Sequence, residues 1–60
     1  MSDKEMMQKN VEEFARLQNY MLASDKNSPA YKLMHERYIE LKFILTSSVV
    51  NLTELDRVKE

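Results

Sequence analysis

Sixty residues carrying nine Lys or Arg, ten Asp or Glu and a formal net charge of -1 make at most one domain, with no overall electrostatic bias toward nucleic acid or an anionic membrane. There is no cysteine, which excludes disulfides and thiolate metal sites, and a single histidine cannot build a metal cluster alone. A chain this short buries only about 60% of the surface its unfolded form exposes, so association with another chain is the expected route to stability.

The N-terminal residues MSDKEMMQ lack a basic region followed by an apolar core, so no signal peptide is expected and a cytoplasmic location is. Ser2 and Glu5 have the spacing of a capping box, which predicts a helix beginning at Asp3. Acidic residues at positions 3 and 5 suit the positive end of its dipole. Met7, Val11, Phe14, Leu17, Met21 and Leu22 form one helical stripe, carrying the helix to about Ala23. Ser, Asp, Asn and Pro then crowd residues 24–29, each a turn former. Ser28 before Pro29 reads as an N-cap followed by a first-turn proline, so a second helix should start there, antiparallel to the first.

From Tyr31 onward, Tyr31, Met34, Tyr38, Leu41, Leu45, Ser48, Leu52 and Leu55 alternate steps of three and four. That heptad seam predicts one helix over residues 29 to about 58, roughly 45 Å long. Residues 46–50, TSSVV, have poor helix propensity and place a kink near Ser47 or Ser48. Asn51 with Glu54 offers a fresh helix start as one alternative, and a pair of short strands flanking the serines as another. The most apolar stretch, residues 43–50, is broken by Thr46, Ser47 and Ser48. It falls well short of the roughly 20 residues that span a bilayer.

This second helix is apolar on more than one side. Ile39, Phe43, Ile44, Val49 and Val50 supplement the seam, and Ile39, Phe43 and Val50 lie away from it. A single partner helix covers only one side, so these five residues are the candidate contacts with another chain. Two copies of an all-α antiparallel hairpin, dimerising into a four-helix bundle, would cover them, as would docking on a different protein. The expected function is a non-catalytic protein–protein interaction or regulatory module without cofactor or metal.

Motifs for chemistry are sparse. His35 and Glu36 lack the second histidine of a zinc protease, because position 39 is Ile39, and Lys32 stands where a di-iron bundle needs Glu. His35 is expected as a flank residue near Tyr31 and Tyr38. Glu36 and Glu40 share a helix face but read as solvated, and no glycine-rich phosphate loop exists. The methionines Met6, Met7, Met21 and Met34 are expected to fill core.

Two resemblances offer alternative functions. Over the first 22 positions Glu5, Asn10, Phe14, Arg16, Gln18 and Leu22 resemble the first helix of the Rop family, small plasmid-encoded RNA-binding regulators that are themselves dimeric hairpins. That resemblance implies an RNA face of Lys4, Asn10, Phe14, Arg16 and Gln18, since an exposed aromatic flanked by amides can contact RNA. The likeness does not extend to the second helix. The segment LTELD, residues 52–56, is similar to the S-Q-E-L-D signature of the aspartyl-phosphate phosphatases of the sporulation phosphorelay, also helical hairpins. It implies a role for Asp56, although the signature's serine is Leu52 here.

Overall fold

The computed structural model describes residues 3–48 and 50–60, so Ser2 of the anticipated capping box and Val49 lie outside the described residues. Helix α1, Asp3–Ala23, and helix α2, Pro29–Ser47, pack against each other as a hairpin. Residues 50–60 follow as an irregular tail that returns along the hairpin toward the interhelical loop.

The sequence explains each boundary. Asp3 and Glu5 lie in the first turn of α1, where acidic side chains complement the exposed N–H groups. At its other end the Ser24 hydroxyl donates to the Tyr20 carbonyl at 2.7 Å and the Ser24 N–H to that of Met21 at 3.1 Å, satisfying carbonyls the helix leaves open. Asp25 holds the loop by accepting from the Asn27 N–H at 2.9 Å. Ser28 caps α2: its oxygen accepts from the Tyr31 N–H at 3.1 Å, and Pro29 follows where no N–H is required.

Phe14, Met21, Tyr31, Tyr38, Leu41 and Leu45 form the core, with Val11, Leu17 and Met34 half-buried at its margin. The Phe14 and Tyr38 rings stack with centroids 5.3 Å apart, an arrangement that adds about 0.5–1.5 kcal/mol beyond burial. Arg37 of α2 grips Glu13 of α1 through Nε at 2.8 Å and a terminal nitrogen at 3.2 Å. The Arg37 hydrogen bond holds the Glu13 carboxyl below its ordinary range. Both partners are solvent-accessible, so the pair orients the helices more than it stabilises them.

Two expectations are corrected. Leu22, counted into the α1 stripe, is 59% exposed, and the stripe runs instead through Gln18. Helix α2 ends at Ser47 rather than continuing to about residue 58. The Thr46 hydroxyl bonds back to the Lys42 carbonyl at 2.7 Å, while the Ser48 N–H is shared between Ile44 and Leu45. The Val50 N–H then returns to the Leu45 carbonyl at 3.0 Å and turns the chain off the helix axis. A straight helix would have left one side of the hairpin core open. The tail closes it with Val50, Leu52, Leu55 and Val58. Asn51 does cap a turn, accepting from the Thr53 N–H at 2.9 Å, and the Asp56 N–H reaches the Leu52 carbonyl at 2.8 Å, but no third helix and no strand form among the described residues.

Candidate interaction surfaces

Two surfaces stand out: the outer face of α2, and the groove between the helices that the tail fills. A rotation of about 100° per residue carries Ile39 and Phe43 to the side of α2 opposite Tyr38, Leu41 and Leu45. There Phe43 is 73% exposed, Ile39 44% and Ile44 38%. Ile44 continues the surface toward α1, bordering a hollow of about 370 Å³ shared with Met6, Met7 and Asn10. Glu36 and Glu40 interrupt the stripe, and Glu40 accepts from Arg37 at 3.1 Å.

Three of the five residues predicted to meet another chain, Ile39, Phe43 and Ile44, therefore share this open surface. Val50 does not, because it packs on the core of its own hairpin. Val49 lies outside the described residues. The grouping of Lys4, Asn10, Phe14, Arg16 and Gln18 as an RNA face is not preserved. Lys4 and Arg16 are exposed and Asn10 is half-buried, but Phe14 and Gln18 are wholly enclosed. An aromatic ring with no accessible surface cannot stack on a base.

The tail is held by three polar anchors. Gln18, fully buried, donates to the Leu55 carbonyl at 2.7 Å and accepts from the N–H groups of Arg57 and of Val58, the latter at 2.9 Å. One amide thus satisfies three main-chain groups of a segment that has no strand partner. Asp56 is the second anchor. Its carboxylate accepts from the Tyr38 hydroxyl and from the Lys59 N–H at 2.9 Å, and pairs with the Lys42 ammonium at 2.9 Å. Burial alone would raise this carboxyl, but hydrogen bonds from Tyr38, Lys59 and Lys42 outweigh it and hold the group below its ordinary value. Burial, then the bond to Asp56, pushes the Tyr38 phenol up, and the same carboxylate raises Lys42.

Glu60 is the third anchor. It accepts from the Tyr31 hydroxyl at 2.8 Å and pairs with Lys26 at 3.3 Å, while the His35 imidazole lies 3.5 Å away. The Tyr31 hydrogen bond leads in holding the Glu60 carboxyl low, with Lys26 and His35 adding to it. His35 sits between Tyr31 and Tyr38, its ring 6.4 and 5.7 Å from theirs. Asp56, the residue singled out by the phosphatase resemblance, lies in the tail and not on α2, with its carboxylate already engaged by these partners.

Sequence reasoning overlooked the clamp. One signal was available: Gln18 falls four residues after Phe14 and three before Met21, in the middle of the apolar stripe of α1. A polar side chain at such a position needs an internal partner. Among the described residues no helix is long and apolar enough to cross a membrane. Comparison with known protein families, with curated proteins and with solved structures finds no match to this chain.

Proposed function

We propose that this chain is a small, non-catalytic, cytoplasmic protein–protein interaction module that pairs with a second copy through the outer face of α2, completing a four-helix bundle. The observation that carries the reading is the exposure of Phe43 beside Ile39 and Ile44 on a helix whose opposite side is already packed. A symmetric contact would bring together three such side chains from each copy. Each contributes up to about 1.5–3 kcal/mol if fully covered. Association costs about 4–15 kcal/mol, and Ile39 and Ile44 are already more than half covered, so the stripe meets only the lower part of that cost and a dimer needs the neighbouring apolar surface as well. The hollow leading to Met6 and Met7 supplies further apolar surface to the same side.

Phe43→Asp tests the assignment. The side chain has little intramolecular packing to lose, so the variant should keep its helicity while its mass at micromolar concentration falls from dimer to monomer. Light scattering alongside circular dichroism reads both. An unchanged mass and melting temperature would show that Phe43 is not at the contact.

A further inference from the structure

The tail docks on the hairpin as an extended peptide docks on a receptor. Its apolar side chains at 52, 55 and 58 enter the groove between α1 and α2, and Gln18 reads its main chain at 55, 57 and 58. Arg57 adds a side-chain bond to the Ala15 carbonyl at 2.8 Å. Its acidic residues meet cationic and hydroxyl partners at two stations, Asp56 at Tyr38 and Lys42, and Glu60 at Tyr31, Lys26 and His35. Complementarity of this kind belongs to the segment and not to its tether. Among the described residues, the main-chain bond that ties the tail to the end of its own α2 is that from the Val50 N–H to the Leu45 carbonyl.

A second observation concerns the junction. Leu45, Ser48, Leu52 and Leu55 keep the heptad spacing of α2 beyond the point where the helix stops. Straightening the chain around Ser48 would therefore extend α2 along its existing stripe and carry the tail away from its own groove. That groove would then expose Phe14, Gln18 and Tyr38, which are fully buried with the tail in place. Two opened copies can restore every one of these contacts reciprocally, the low-cost route to a swapped dimer.

We infer that the groove between α1 and α2 is a peptide-binding site whose exchangeable occupant is residues 50–60 of a second copy of this chain. The inference is independent of the outer face of α2, since it uses the opposite side of the helix. In the native chain the tethered tail has a local concentration of about millimolar order, so exchange at micromolar concentration becomes visible only when a copy's own tail is weakened.

Complementation between two full-length variants tests it. One carries Leu55→Asp, spoiling its tail while sparing its groove, and the other carries Gln18→Ala, spoiling its groove while sparing its tail. Both also carry Phe43→Asp, which removes association through the outer face of α2. Mixed, heated and cooled together, they should form a 1:1 heterodimer by native mass spectrometry. The mixture should melt about 5 °C or more above either variant alone, the scale of shift expected when a small domain regains a buried contact. A chain carrying all three substitutions provides the control and should gain nothing on mixing with either variant. If either variant is unfolded alone, a rise in helicity on mixing replaces the melting shift. A mixture whose mass, melting and helicity equal the sum of its separate components would overturn the inference.

Discussion

Gln18 occupies a position where a leucine would ordinarily be expected, and its three hydrogen bonds explain the exception. Its carbonyl and amide face the Leu55 carbonyl and the Arg57 and Val58 N–H groups, so removal of the amide orphans three main-chain groups at once. Each such group costs about 1–3 kcal/mol when left buried without a partner. Gln18→Leu should therefore destabilise the chain despite adding apolar surface, by about 1–3 kcal/mol, since the part-buried main-chain groups of a released tail are rehydrated. Urea denaturation checks the sign, and a variant as stable as the native chain would mean that the amide does not hold the tail. Tyr38 is similarly double-purposed. Its ring stacks on Phe14 in the core while its hydroxyl reaches Asp56 at the edge.

Among the elements, the tail owes its place to ionised groups more than either helix does, which makes its docking dependent on pH. Asp56 and Glu60 both have folded values held below their ordinary 3.8 and 4.5. A depressed carboxyl contributes stability that is present above its unfolded value and is lost as pH falls through the folded one. Tyr31 and Tyr38 are raised above 10.0 and Lys42 above 10.5, so their contribution is present below those values and is lost as pH climbs beyond them. Amide hydrogen exchange, corrected for its intrinsic pH dependence, should show residues 50–60 losing protection below pH 3.8 and again above pH 10.0, ahead of the α1 core around Phe14. Loss of protection in both regions together would mean that the tail does not release separately. Of this element the sequence showed a weak point, read as a kink near Ser47 or Ser48 in a continuing helix, and a capping residue at Asn51, read as a fresh helix start, because local propensity sets both. The return of the tail was hidden. Leu52 and Leu55 fit the heptad of a continuing helix as well as they fit the groove, and spacing alone cannot separate the two.

At the scale of the whole molecule, a chain with extents of 37 × 23 × 15 Å is too thin to cover both sides of α2. The tail takes the flank next to the core, and the side bearing Phe43 is left to solvent. If a second copy covers that side, folding and association share one equilibrium. The melting temperature of the native chain should then rise with protein concentration across the micromolar range, whereas that of Phe43→Asp should stay fixed. Parallel curves for the two proteins would count against pairing through this face.

By itself the sequence determined the two helices, the loop capped by Ser28, the Tyr31–Tyr38–Leu41–Leu45 seam and an apolar excess around Phe43, because each follows from residue type and spacing within a few turns. Tertiary structure alone decided that Gln18 lies inside beside Phe14, that Val50 turns inward while Phe43 stays out, and that Asp56 and Glu60 become anchors. The physical reason is that these outcomes depend on which distant groups meet. A hairpin of two short helices cannot enclose its own core, so the last residues fold back to cover it and bring together groups that are 18 to 42 positions apart.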